Sequence, residues 1–177
     1  MKKLLLAMAF GVLAVTNLYA QFGPTGTTSV QVTVANEAAI QIDTATTNLT
    51  TAGIFNDFTG STNFTYKIRT SKVGGTGSVT LQVTSDFSPA GGPSVATPPS
   101  AGDTLAYACT AAAPATACSG SQTASTSAAT PVATFGANAH SLKAGTGGNA
   151  VDWVLTNDPL YETGSYASTV TFTISST

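Results

Sequence analysis

Few side chains in this 177-residue sequence are of the types that catalyse reactions, and those few stand apart. His140 is the only histidine, and no Gly-x-Ser-x-Gly motif marks a serine that it could activate. Asp158 and Glu162 lie four residues apart around Pro159, but no motif positions them as a general acid and a general base. The sequence therefore assigns no catalytic residue and predicts a protein that is not an enzyme.

The first twenty residues are typical of a secretion signal. Lys2 and Lys3 are followed by an apolar run over 4–15, and the small Ala20 precedes a candidate cleavage point at Gln21. A membrane-spanning helix needs about 20 apolar residues, so this run is too short to remain in a bilayer. We expect residues 1–20 to form a signal helix that directs export through the Sec pathway and is then removed. The mature protein is expected to be secreted or at the cell surface, with no membrane association after the signal is removed.

The two cysteines of the chain, Cys109 and Cys118, are separated by eight residues in a stretch rich in Ala and Thr. Exported proteins meet an oxidising compartment, where such a pair usually forms a disulfide. A zinc site would need a second pair of ligands, and no Asp-x-Asp-x-Asp run of the kind that binds calcium occurs. We therefore predict a disulfide between Cys109 and Cys118, no metal and no cofactor.

Charge is scarce in the mature sequence, residues 21–177. It contains four Lys or Arg against eight Asp or Glu, a net charge of −4, and no basic patch. Nucleic acid and anionic membrane surfaces are therefore not expected as partners. The polar groups are mostly hydroxyls, because 31 Thr and 17 Ser occur in this part of the chain, and threonine favours strands.

Alternating apolar and polar residues, the pattern of a strand with one buried face, recur along the mature chain. After a flexible lead over 21–28, the first such row is Val30, Val32 and Val34, and the alternation resumes at residues 40 and 42. We interpret this stretch as one kinked strand, or as two short strands that switch between sheets. Two further rows flank a glycine-rich turn and predict a β-hairpin over 64–84.

The last strand has the most regular alternation. One of its faces carries the predicted core residues of the terminal strand, Tyr166, Val170, Phe172 and Ile174. Shorter rows end near residues 109, 135 and 155, and the last of them places the single tryptophan, Trp153, in the predicted core. The tract over 110–130 is rich in Ala, Ser and Thr and is predicted to be a long loop. Seven to nine strands in one domain, 29–177, indicate an all-β, two-sheet sandwich.

Both ends of the chain resemble a known class of proteins. The pattern Gly-x-Tyr-x-x-x-Val-x-Phe-x-Ile over 164–174 is similar to the last strand of secreted bacterial immunoglobulin-like surface proteins, and the alternation over 30–42 resembles their first strand. These proteins include spore-coat-protein-U-like proteins and chaperone–usher pilins. The resemblance implies an immunoglobulin-like sandwich that serves as a non-enzymatic structural subunit of a surface fibre, pilus or coat.

The resemblance also implies partners. We expect copies of the same chain, or related subunits, to associate through sheet-edge pairing, with a periplasmic chaperone as a further partner. The segment over 22–34 is the candidate assembly strand, and Val30, Val32 and Val34 are the side chains expected to fill pockets on a neighbour.

A second class of function stays open on the sequence alone. The chain could act as a monomeric secreted adhesin or carbohydrate-binding module, through the long loops over 85–102 and 110–130. Sugar binding commonly uses exposed aromatic rings, so exposure of Trp153 beside Tyr161 would favour this alternative.

Overall fold

The computed structural model describes residues 25–177. All of the regular secondary structure in this range consists of β-strands. The predicted signal peptide over 1–20 lies outside the described residues. Residues 34–177 form the folded unit, and residues 25–33 belong to a separate N-terminal unit without regular secondary structure. The strands are β1 (Glu37–Ile42), β2 (Thr50–Thr51), β3 (Phe58–Arg69), β4 (Gly77–Ser88), β5 (Leu105–Thr110), β6 (Thr116–Ala117), β7 (Gln122–Thr123), β8 (Thr130–Phe135), β9 (Thr146–Leu155) and β10 (Ala167–Ser176).

The strands form two antiparallel sheets. The six-stranded sheet has the order β1-β3-β9-β5-β7, with β2 also paired to β3, and the four-stranded sheet has the order β10-β4-β8-β6. Seven strands have six residues or more, and the other three have two residues each. The predicted all-β, two-sheet architecture is confirmed. The ten strands within residues 25–177 exceed the seven to nine predicted, because two-residue strands leave no alternation to detect.

The hydrophobic core lies between the sheets and is built from the inward faces of the alternating rows. Leu81 is fully buried, and Trp153 is 5% exposed, as predicted from its place in its row. Large apolar side chains contribute roughly 1.5–3 kcal/mol each when they are removed from water in this way. The most deeply buried large side chains of the core are Phe64 and Tyr66 on β3, Val79, Leu81 and Val83 on β4, Tyr107 on β5, Val132 on β8 and Val151 on β9.

The predicted hairpin over 64–84 is wrong. β3 and β4 are consecutive strands that run in opposite directions, and both have the predicted two-residue alternation. They belong to different sheets, however, and face each other across the core. The end of β3 instead bonds to the loop before β9, where the backbone N–H of Ser141 donates to the carbonyl of Ile68 at 3.0 Å. The error has a simple cause, since local alternation reports a buried face and not the strand that pairs beside it.

The tract over 110–130 is not a free loop, in contrast to the prediction. It contains β6 and β7, and Ala124 within it is 3% exposed. The buried hydroxyl of Tyr66 donates to the carbonyl of Ala112 at 2.7 Å, which fixes the tract from inside the core. Small side chains allow the backbone to lie close to the core, so hydrogen bonds can hold a segment that has little apolar surface of its own.

The predicted strand at Val30, Val32 and Val34 is absent, because residues 25–36 have no regular secondary structure and β1 begins at Glu37. Strand structure needs a partner for its backbone hydrogen bonds, and none of the ladders of the described chain includes these residues. The alternation is thus real, but the segment that carries it is not paired.

The position of Leu81 yields a direct test of the core. We expect Leu81→Ala to lower the free energy of unfolding by roughly 2–5 kcal/mol, because it leaves a cavity between the sheets. Val154→Ala is the matched control, since Val154 lies on the outer face of β9 and its truncation should cost no more than about 0.5 kcal/mol. Urea unfolding followed by tryptophan fluorescence measures both, and equal losses in the two variants would contradict the sandwich.

Candidate functional site

The last strand, β10, lies at the edge of the four-stranded sheet, where β4 is its only partner among the described strands. Val170, Phe172 and Ile174 face the core but are only half-buried, because no strand within residues 25–177 lies beyond them. The predicted row is therefore present on the predicted face. It covers one margin of the core and leaves that margin partly open to solvent.

The direction of the backbone groups of β10 follows from its pairing with β4. The N–H of Thr177 donates to the carbonyl of Thr76 at 2.8 Å, and the register is uninterrupted from there back to Val170. In an antiparallel pair, alternate residues point their N–H and C=O groups toward the partner and the residues between them point these groups away. The N–H and C=O groups of Val170, Phe172 and Ile174 are therefore directed to the free side of β10.

A contact on β4 supports this assignment. Val83 is the register partner of Val170, and its N–H donates to the carbonyl of Ser125 at 3.0 Å, on the side away from β10. The pair is thus one of those that share no backbone hydrogen bonds. The free side of β10 is an unpaired edge of the type that can accept a further strand.

The first strand, β1, lies at the edge of the other sheet, on the same side of the sandwich as β10. Ala38 and Ile40 are half-buried, and Ile42 is 39% exposed. Inside this margin the rings of Phe172 and Phe64 lie 6.0 Å apart between centroids. We call this margin, formed by the inward rows of β1 and β10, the open edge.

Polar contacts hold residues 35–37, where the chain leads into β1 at one end of the open edge. Arg69 donates from Nε to the carbonyl of Ala35 at 2.6 Å and from Nη2 to Glu37 at 2.9 Å. The amide of Asn36 donates to the carbonyl of Ser176, at the end of β10, at 2.9 Å. These residues were not singled out from the sequence, although an isolated Asn-Glu pair between two apolar rows is a recognisable interruption. The contacts place the start of β1 beside the end of β10.

The three valines of the candidate assembly strand are exposed. The exposed fractions are 91% for Val30, 85% for Val32 and 62% for Val34. Burial of a valine side chain contributes about 1.5 kcal/mol or more, so an exposed row of three is unfavourable in water. The sequence correctly indicated an apolar row here. It also predicted that the row forms a strand, whereas the segment is unpaired and its valines are exposed.

Tyr166 lies one residue before β10 and is half-buried against a loop. Its hydroxyl donates to the carbonyl of Glu162 at 2.7 Å. Its ring lies on Gly92, where a Cβ atom would come within 2.3 Å of the ring, so that only glycine fits this position. Tyr166 thus fixes the loops before β10 and does not extend the row of Val170, Phe172 and Ile174.

The predicted disulfide is present. Cys109 on β5 is bonded to Cys118, which follows β6, and the two Cα atoms are 5.5 Å apart. Since β5 belongs to the six-stranded sheet and β6 to the four-stranded sheet, the bond links the two sheets on the side opposite the open edge. One margin of the sandwich is therefore covalently closed, and the other is held by packing and hydrogen bonds without a covalent link.

Removal of the disulfide should weaken the closed margin. We expect the double variant Cys109→Ser, Cys118→Ser to lose about 2–3 kcal/mol of unfolding free energy, the value for a loop of this length. Urea unfolding of the oxidised protein and of the variant measures the difference. A variant as stable as the parent would contradict the structural role of this bond.

Trp153 is held inside the core by a polar contact as well as by packing. Its indole N–H donates to the hydroxyl of Thr62 at 2.8 Å, and its ring centroid lies 5.4 Å from that of Tyr107. A ring in this position is unable to stack on a sugar at the surface. Trp153 is therefore not exposed beside Tyr161, which is the arrangement that would have favoured a carbohydrate-binding module.

His140 is exposed, and its Nε2 atom lies 3.0 Å from the side-chain oxygen of Asn138. Within residues 25–177, no three His, Cys, Asp or Glu side chains are grouped so that they could hold a metal ion. The same residues contain no helix long and apolar enough to cross a membrane. Asp158 and Glu162 lie in the loop between β9 and β10, as the sequence indicated.

Asp86 organises the loop that follows β4. Its carboxylate accepts hydrogen bonds from the hydroxyl of Ser94 and from the backbone N–H groups of Phe87, Val95 and Ala96. Burial opposes ionisation of this carboxyl, but the four hydrogen bonds together outweigh it and lower the pKa of Asp86. The loop is thus folded around a charged acceptor.

Comparisons with known proteins assign no family to this chain. None of the family models, curated proteins or solved structures matches it. The features of the described chain that bear on function are the open edge, the exposed valine row and the distribution of charge.

Loss of the Asp86 carboxylate should have a pH-dependent effect. At pH 7 we expect Asp86→Ala to lower the free energy of unfolding by roughly 1.5–3 kcal/mol, the range for hydrogen bonds to a charged group. Because the folded-state pKa lies below the ordinary value of 3.8, this contribution is complete above that value and is lost as pH falls through the folded-state pKa. Urea unfolding at pH 7 and at about pH 2 should therefore show a difference that shrinks in acid. A difference that grows in acid would reverse the sign and contradict the assignment.

Proposed function

We propose that this protein is a non-enzymatic structural subunit of an extracellular bacterial fibre, pilus or coat, exported through the Sec pathway and built on an immunoglobulin-like sandwich. In the assembly, the segment over 22–34 of one copy adds as a strand to the open edge of another copy. The single observation that supports this proposal best is the unpaired, half-buried row of β10 in a chain that also has an exposed valine row.

The two rows are chemically matched. Val30, Val32 and Val34 repeat every second residue, and the outward-directed backbone groups of β10 belong to residues with the same repeat. A strand beside β10 would receive backbone hydrogen bonds along its length and would place its valines over the half-buried row. The association would remove two unfavourable features together, an exposed apolar segment and an unpaired sheet edge.

The same edge makes premature association a hazard during export. An unpaired strand next to exposed apolar groups is a template for pairing with other chains. A periplasmic chaperone that covers the open edge before assembly is therefore part of the proposal, as are related subunits that present a similar edge.

The monomeric binding-module alternative has less support. The loop over 85–102 borders a cavity of about 430 Å³, but Phe87 is the one aromatic residue in its lining. Trp153 is in the core. No feature of this loop favours a sugar ligand over an assembly role.

The assembly strand is tested by a charged substitution in its apolar row. We expect Val32→Asp to weaken self-association of the mature protein at least tenfold, because the carboxylate would have to be buried against β10 without a partner. Gln31→Asp adds the same charge at the neighbouring position and should associate like the parent protein. Gel filtration and negative-stain imaging over a concentration series measure the effect.

A deletion of residues 21–34 completes this experiment. The deletion should leave the sandwich folded and abolish fibres or ladders that resist detergent. Unchanged assembly of the deletion variant, or equal effects of the two aspartate substitutions, would refute strand donation by this segment.

A further inference from the structure

The positive charges of the folded unit, residues 34–177, lie at one end of the sandwich. β3 ends there and β4 and β9 begin there, so the loops over 70–76 and 136–145 lie together. The backbone N–H of Thr70 donates to the carbonyl of Ala139 at 3.1 Å, and Arg69, the last residue of β3, forms an isolated backbone β-bridge with His140. We call this end the basic end, and it contains all four Lys and Arg residues of the folded unit, Lys67, Arg69, Lys72 and Lys143.

The opposite end of the sandwich is acidic. The loops that meet there precede β3, β5 and β10, and two contacts join them: the N–H of Asn157 donates to Asp57 at 3.3 Å, and the hydroxyl of Tyr161 donates to Asp103 at 3.4 Å. Burial and the negative charge of Asp103, together with those of Asp158 and Asp57, raise the pKa of Tyr161 to about 12. We call this the acidic end, and it contains five of the eight acidic residues of the folded unit, Asp57, Asp86, Asp103, Asp158 and Glu162.

Each end also presents large apolar side chains to solvent. At the basic end Val73 is 89% exposed and Leu142 is 69% exposed. At the acidic end the exposed fractions are 91% for Ile54, 63% for Phe55 and 66% for Leu160. Apolar groups next to charged groups are the composition of a protein–protein contact surface, with an apolar centre and a polar rim.

We propose that these ends are complementary docking surfaces, and that the basic end of one copy packs against the acidic end of the next. A second copy is the partner that the observations favour, because both charge signs and both apolar patches are supplied by the same chain. Opposite charges across such a contact also exclude the wrong orientation, since two basic or two acidic ends would repel.

The inference rests on the proposed function and gives it a direction. The chain leaves the sandwich toward its N-terminus at the basic end, where Arg69 and Asn36 hold it. β10 runs from the acidic end to the basic end. When the basic end of one copy meets the acidic end of the next, the donated segment enters the open edge at the acidic end. It therefore lies antiparallel to β10, the stronger of the two pairing modes.

The experiment uses charge reversal and recombination in the mature protein. Lys72→Glu with Lys143→Glu brings the summed charge of the four Lys and Arg positions of the basic end from +4 to 0, and Asp57→Lys with Glu162→Lys brings the summed charge of the five acidic positions of the acidic end from −5 to −1. In an equal mixture, the unaltered acidic end of the first variant can still meet the unaltered basic end of the second. We expect each double variant alone to associate at least tenfold more weakly than the parent, and an equal mixture of the two to recover the association. Sedimentation velocity in about 0.05 M and about 0.5 M salt measures the association, which should weaken in the higher salt.

Control variants separate this inference from strand donation. Asp152→Lys makes the same kind of charge reversal on the outer face of β9 and should associate like the parent. The same series is repeated after deletion of residues 21–34. Weak association that remains in the deletion variant and still obeys the charge pattern would support docking of the ends while refuting strand donation.

Two outcomes overturn the docking proposal. If both double variants assemble like the parent, the ends do not meet, even where strand donation holds. If the mixture fails to recover association although each variant is folded by circular dichroism, the charges act within one copy and not between copies.

Discussion

Packing of the inward row of β3 against the inward row of β4 holds the two sheets face to face, and the other features of the fold depend on it. These two strands are the longest of the described strands, with twelve residues each, and both lie inside their sheets and not at the margins. Their buried side chains define a core that the neighbouring strands extend on either side. The core is fully covered near β8 and β9, where further strands follow, and only half-covered at β10, where none of the described strands follows.

The open edge is thus a consequence of strand order. Burial of a row requires a strand or loop beyond it, and the disulfide side of the sandwich has the short strands β6 and β7 in that position. The side formed by β1 and β10 has no equivalent cover within the folded unit. An apolar segment that could provide such a cover, residues 30–34, precedes β1 in the sequence, so each copy of the chain could supply a strand to another copy.

The outer surface of the sandwich combines many hydroxyl groups with few charged groups. The outer face of the four-stranded sheet carries hydroxyls that bond to each other across strands, as between Thr84 and Thr171 at 2.9 Å and between Ser78 and Ser175 at 3.1 Å. Such a face is wetted without charged groups. Within residues 34–177, the Lys and Arg residues lie near one end of the sandwich and most Asp and Glu residues lie near the other, as the proposed oriented contact between copies requires.

The sequence alone predicted the features that local patterns encode. Alternation identified the seven longer strands and the buried side of each, and two cysteines close together in a chain expected to be exported identified the disulfide. It did not predict that β3 and β4 lie in different sheets, because a row such as Val79 to Val83 is equally compatible with a hairpin and with a crossing between sheets. The packing of the 110–130 tract was also missed, since the hydroxyl of Tyr66 that holds it is distant in sequence.

The functional site, like the fold, was predicted from the sequence only where local alternation encodes it. The row of Phe172 and Ile174 was visible, and so was the row of Val30 and Val32. Their states, one half-buried at an edge and the other exposed, depend on strand order. The meeting of Asn36 with Ser176 depends on it too, and pairing between distant strands leaves no signal in a single sequence.

Amide hydrogen exchange at Val170, Phe172 and Ile174 tests the central claim most directly, because their N–H groups point to the free side of β10. The measurement compares the mature protein when dilute and monomeric with the protein when concentrated and associated. The account predicts fast exchange at these three amides in the monomer and strong protection on association, with little change at the amides of β4. Equal protection in both states, or fast exchange in both, would contradict the claim that the edge of β10 receives a strand from another copy.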